Sequence, residues 1–250
     1  MTKACETFES EINDIDQWAV VANDVAQGLE EKLHKAEIDA IDDDSSEAFA
    51  AFDLARTNYE SWVRGIRRQR AIAYCTVFET FLRDFLVEKI IDNPRCICRA
   101  LKRKWGLSLQ MSTNPVDHEE VRTFLIKDRE FRFQNVTNAG EAYKSIIEWN
   151  PFSSEEKLKP AATDLRIIWT IRHNLVHCNG HIDSNYRKEL GNEEFQQRLT
   201  LRWDINKQSP PTPDQILDSA AVSGDFRTKL DEMGNSILRF GQHISNGFAL

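Results

Sequence analysis

Three side chains within residues 166–180, "RIIWTIRHNLVHCNG", are of types that do chemistry at the spacing in which they occur: Arg172, His173 and His177. An imidazole titrates near neutrality, so it can give or take a proton during a reaction. A guanidinium stays charged and holds an anionic oxygen pair through two parallel hydrogen bonds. His173 and His177 stand four residues apart, which stacks them on one side of a helix. Phosphoryl chemistry uses this combination, because it moves protons at oxygen while charge gathers on phosphate.

The element carrying these groups reads as an apolar helix introduced by Pro160 and Thr163 and stopped by Asn179-Gly180. At about 100° per residue, Leu165, Ile168, Trp169, Leu175 and Val176 fall on one arc. Arg172 falls inside that arc, where an isolated charge needs a partner. Arg166, Thr170, His173, Asn174 and His177 fall elsewhere, near the helix end where the dipole favours a protonated imidazole. The preceding core helix, "AIAYCTVFETFLRDFLVEKIID", has the complementary anomaly, with Glu79 in the middle of an apolar stripe. The expected contact is an ion pair between Glu79 and Arg172. Arg172 and His177 lie about 140° apart on an ideal wheel, so they converge only if Arg172 bends around the helix or the last turn distorts.

Around these two helices the pattern is helical. Residues 5–36 repeat Phe8, Ile12, Ile15, Ala19, Ala22, Val25, Leu29 and Leu33 at three- and four-residue steps. "AIDDDSSE" is a polar break in which Ser45 or Ser46 caps a second helix from about 47, with Gly65 as a point of interruption. Asn93-Pro94 ends the following helix. Residues of about 95–160 read as an insertion holding a basic helix, an acidic helix start at "PVDHEEVRTFL" and a loop at "FQNVTNAGEAY". After Gly191, "LTLRW" is compatible with one short β element near 199–205, "SPPTP" is a linker, and Phe226, Leu230, Met233, Ile237, Phe240 and Ile244 mark a closing helix or a dimer contact. The expected class is all-α: an acidic helical extension over 1–46, a helical core over 47–190, and a C-terminal extension over 191–250.

Composition agrees with helices, Gly (10) and Pro (7) being scarce in 250 residues. Five cysteines without a C-x-x-C pair read as free thiols of a reducing cytoplasm. The start shows no basic-then-apolar leader pattern and no apolar run reaches membrane-span length, so a cytoplasmic protein without a membrane partner is expected. The net charge of −8 is unevenly spread. Acids crowd the first 60 residues, whereas "WVRGIRRQR" and "RCICRALKRKW" are basic. Arg64, Arg67, Arg68, Arg70, Lys102, Arg103 and Lys104 therefore form a candidate phosphate-binding set, although such runs also serve as plain solvated faces.

Arg172 to His177 match the R-x4-H motif, and its narrower R-H-x-x-x-H form, of the HEPN superfamily, which this chain resembles over roughly half its length. The "FETFLRDFL" helix before the motif, the insertion between and the glycine after it agree with that resemblance. It implies an up-and-down helical bundle, dimerisation that brings two motifs into one cleft, and cofactor-free, metal-independent endoribonuclease activity leaving a 2′,3′-cyclic phosphate. It implies His177 as general acid or base, Arg172 as phosphate clamp, and His173 and Asn174 as positioning groups; Glu79 supports the site through its expected pairing with Arg172. RNA and a second copy are the implied partners, and many such proteins act as toxins or phage defences with a neutralising partner. A nucleotide-modified Tyr of one toxin branch has no counterpart here, since Asn179 occupies that position.

Other readings stand beside this one. His173, His177 and His181 with Cys178 suggest a metal site, but Asn174 stands where zincins place Glu and Gly180 should end the helix before His181. A non-catalytic RNA-binding or protein-interaction module keeps the fold without the reaction. A solvated helix end explains the histidines and leaves Arg172 unexplained.

Overall fold

The computed structural model describes residues 2–43, 45–92, 133, 135–147, 149–153, 159–199, 210–219 and 229–247. Among them the chain is all-α. Its helices are α1 (Lys3–Asp43), α2 (Ser46–Asp92), α3 (Val136–Ile147), α4 (Lys159–His177), α5 (Ser184–Leu190), α6 (Glu193–Arg198), α7 (Pro213–Asp218) and α8 (Lys229–Gly247), with a 3₁₀ turn at Pro151–Ser153. No helix among the described residues is long and apolar enough to cross a membrane. The short β element expected near 199–205 lies outside the described residues except for Leu199, which follows α6 in a turn.

Helices α1 and α2 form an antiparallel hairpin about 60–70 Å long, as their residue counts dictate. Ser45 caps α2, its hydroxyl accepting from the Ala48 N–H at 3.2 Å. The expected interruption at Gly65 does not occur: α2 runs unbroken, and nothing packs within 4 Å of a Cβ placed there. A lone glycine costs a helix interior only about 1 kcal/mol, and α2 is packed along α1 on both sides of it. Toward the hairpin tip Ala22 and Ala40 are the fully buried hydrophobics among the described residues, while Leu29, Leu33, Phe52 and Tyr59 are half-buried.

The opposite end of the hairpin enters the core. Phe8 of α1 stacks on Phe81 with ring centroids 4.5 Å apart and touches Phe78, which in turn meets Trp169 of α4 and Phe240 of α8. Helices α1 and α8 therefore contribute to the same buried cluster as α2 and α4. On α8, Leu230, Met233, Ile237, Phe240 and Ile244 are fully buried, so this is a closing helix. Phe226 lies outside the described residues.

Two further departures have clear physical causes. "FQNVTNAGEAY" is not a loop: the Asn135 carboxamide accepts the Asn138 N–H at 2.8 Å and starts α3. Ala139, Ala142, Tyr143 and Ile146 then face the core at helical spacing, and the Tyr143 hydroxyl donates to the Leu82 carbonyl at 2.6 Å. The second is a buried ionic clamp. Asp164 of α4, with no exposed surface, accepts Arg198 Nε at 2.7 Å and Nη2 at 2.6 Å, plus the Ser236 hydroxyl at 2.6 Å. Arg198 also reaches Glu232 at 2.8 Å, and buried Lys229 donates to Glu232 at 2.7 Å and to the Arg198 carbonyl at 3.0 Å. The clamp fixes α6 and α8 to the helix that carries the histidines.

Candidate functional site

Helix α4 is buried on more than one side, against α2 and α8. Ile167, Ile168 and Ile171 are fully buried, while Val176, expected on the apolar arc, is 46% exposed. The helix remains α-helical through His177 and stops where Asn179 (φ 50°) and Gly180 (φ 78°) turn left-handed. The Asn174 carbonyl accepts both the Cys178 and Gly180 N–H groups, at 3.0 and 3.1 Å. Its side-chain amide donates to the His181 carbonyl at 2.7 Å, and the residue is only 1% exposed. Asn174, expected on the polar face, thus acts inside the turn and sets the chain's direction after His177.

His173 and His177 are both exposed, with ring centroids 4.8 Å apart and planes tilted by 47°. Beyond the turn, Asp183 caps α5 by accepting the Tyr186 N–H at 2.7 Å and also accepts the Cys178 thiol at 3.3 Å. The Tyr186 N–H, the thiol and the nearby His173 charge hold the Asp183 carboxyl below its ordinary range. The same thiol–carboxylate bond pushes Cys178 up, which keeps it a thiol and a poor nucleophile. Among the described residues no three His, Cys, Asp or Glu side chains are grouped so as to hold a metal ion.

Arg172 turns the other way. Its Nη1 lies 3.8 Å from Glu79 Oε1, each side chain being 17% exposed. The expected partners therefore face each other as an ion pair, but the separation is too long for a hydrogen bond. Glu79 Oε1 instead accepts the Trp169 indole N–H at 3.1 Å, while buried Arg172 Nε lacks a partner among the described residues. Burial pushes the Glu79 carboxyl above its ordinary range despite the opposing guanidinium and indole, so desolvation outweighs attraction here. An undistorted last turn leaves Arg172 and His177 on different sides, with the guanidinium held at Glu79.

The arginines of α2 are likewise engaged. Arg68 makes a two-pronged bond to Asp214 at 2.8 and 2.7 Å, and Arg64 approaches Asp214 at 3.8 Å. Arg67 pairs with Asp218, and Arg70 with Asp16 and Asp231. Four carboxylates from α1, α7 and α8 meet these candidate RNA-contacting arginines and bind those helices to α2. Arg68 also lies against the Gly180 turn, its Nη2 being 3.4 Å from where a Cβ of Gly180 would stand. Lys102, Arg103 and Lys104 lie outside the described residues.

Beside the histidines is a feature that sequence reading missed. A polar cleft of about 340 Å³ opens between the start of α3, the exposed side of α4 and α5. Its lining includes Asn135, Thr137, Asn138, Arg166, Thr170, His173 and Asn185. Arg166, Thr170, His173 and His177 were legible as one helix face, but the opposing wall comes from residues read as a loop. Comparison of the chain with protein-family models, with curated proteins and with solved structures found no match.

Proposed function

We propose that this chain is a HEPN-type, metal-independent endoribonuclease that works as a homodimer, with His173 and His177 as its proton-transfer groups. The observation carrying this reading is the solvent-facing imidazole pair, 4.8 Å between centroids, beside a polar cleft. One imidazole takes the 2′-hydroxyl proton as that oxygen attacks phosphorus. The P–O5′ bond breaks, and an imidazolium returns a proton to the leaving 5′-oxygen. The products are a 2′,3′-cyclic phosphate and a 5′-hydroxyl. A second copy supplies histidines on the far side of the bond, and exposed Val176, between the two histidines in sequence, gives a dimer seam an apolar contact. Arg172 serves here as a positioning residue that holds α4 against Glu79. A growth-limiting or phage-defence role follows from the same resemblance.

A second reading, a non-catalytic interaction module, draws on two observations: Arg172 faces inward to Glu79, and the arginines of α2 are engaged by carboxylates. Incubating the protein with a mixed-sequence RNA in EDTA separates the two. The ribonuclease reading expects cleavage that falls at least about 100-fold in His177→Ala, the scale of one lost acid–base group. No cleavage by wild type, or only a trace that is unchanged in His177→Ala, favours the module.

A further inference from the structure

The cleft beside His173 has a chemical character of its own. Its cation, Arg166, sits 3.3 Å from Glu194 and 3.8 Å from Glu189, which also lines the cleft. The guanidinium packs over the Phe195 ring at 4.9 Å. Its charge is thereby largely offset, so the cleft presents little net attraction for a phosphate. What it offers is hydrogen-bonding capacity. Among the described residues, the side chains of Thr137, Asn138 and Asn185 make no hydrogen bond and line the cleft. A carboxamide presents two donors and an acceptor side by side, the pairing that reads the edge of a nucleobase. The cleft's 340 Å³ lies at the small end for ligand sites, about right for one nucleoside. Sequence-specific reading of RNA works on single unstacked bases through their edges.

We propose that this cleft is a nucleobase subsite that seats one base of a single-stranded RNA next to the phosphate at the histidines. Asn138 on one wall and Asn185 on the other read its edge. The proposal rests on the ribonuclease reading for its orientation, while base binding is measurable without cleavage.

The test uses the full chain and four fluorescent RNA pentanucleotides that differ only at the central base. All are 2′-O-methylated, so no 2′-hydroxyl is free to attack. Binding is read by anisotropy for wild type, Asn138→Ala, Asn185→Ala and the double variant. The mutated side chains lie at the surface or half-buried, and circular dichroism verifies that each variant folds. The expected result is at least a tenfold preference of wild type for one central base, falling below threefold in the double variant. Equal affinity for all four bases, no binding, or a preference that survives the double substitution overturns the subsite. The unmodified pentanucleotides are then incubated in parallel. Base preference without cleavage leaves the subsite standing and removes the ribonuclease reading; cleavage without base preference does the reverse.

Discussion

Replacing Arg172 by Met isolates what the pairing across α2 and α4 does. The guanidinium and Glu79 carboxylate are 3.8 Å apart with 17% of each side chain exposed. With an effective dielectric near 20, that separation gives a gross attraction of about 4 kcal/mol. Burial still leaves the Glu79 pKa raised, so attraction only partly offsets desolvation. Arg172→Met strips the offset and leaves a buried carboxylate opposite a thioether. The expected loss at pH 8 is about 2–3 kcal/mol, below the full range for buried pairs because water reaches both groups. For a chain of this size that lowers Tm by roughly 5–10 °C. A carboxyl with a raised folded-state pKa binds more protons folded than unfolded. Its penalty is absent below the unfolded-state pKa and complete above the folded-state one. Removing Arg172 raises the folded value further, so the variant loses less at pH 5 than at pH 8. Glu79→Gln/Arg172→Met keeps an acceptor for Trp169 and removes both charges, and should return to within about 1 kcal/mol of wild type. Differential scanning calorimetry at the two pH values reads all three proteins. Equal loss at both pH values together with additive single-variant losses in the double variant would refute the reasoning, as would no loss at all.

The other expectations concern how the carrying helix is held. Asp164→Ala removes two of the three carboxylate hydrogen bonds of Arg198 among the described residues, leaving it Glu232 alone, and takes the acceptor of the Ser236 hydroxyl; it should cost about 3 kcal/mol by chemical denaturation, far more than a surface aspartate such as Asp53. Gly241→Ala drives a Cβ into the Phe8 ring, deep in the core, and should cost about 1–3 kcal/mol with a loosened α1–α8 contact visible as faster amide exchange in α1.

Legibility from sequence followed how local each cause is. The Asn179-Gly180 stop and the Ser45 cap are local, and both stand where their residue types put them. The facing of Glu79 and Arg172 was readable because each breaks an apolar stripe, which the wheel displays without tertiary knowledge. The wheel failed where α4 has more than one buried side: Asn174, on the supposed polar face, is enclosed by its own turn, and Val176 is exposed. "FQNVTNAGEAY" has turn-prone residues that masked an Asn135 cap and a buried stripe ending at Ile146. The clamp of Asp164 by Arg198, 34 residues away, and the pairing of Arg68 with Asp214, 146 away, left no signal in spacing. A basic run looks the same whether RNA or distant carboxylates meet it. The cleft escaped notice for the same reason, since its walls come from α3, α4 and α5.

The most direct measurement of the central claim is the chemistry of RNA ends produced by wild type in EDTA. Two imidazoles acting on a ribose 2′-hydroxyl must leave 2′,3′-cyclic phosphate and 5′-hydroxyl ends, and those ends must disappear in His173→Ala/His177→Ala. Products bearing 5′-phosphate and 3′-hydroxyl ends, or cyclic-phosphate ends that persist at the wild-type rate in the double variant, contradict the account.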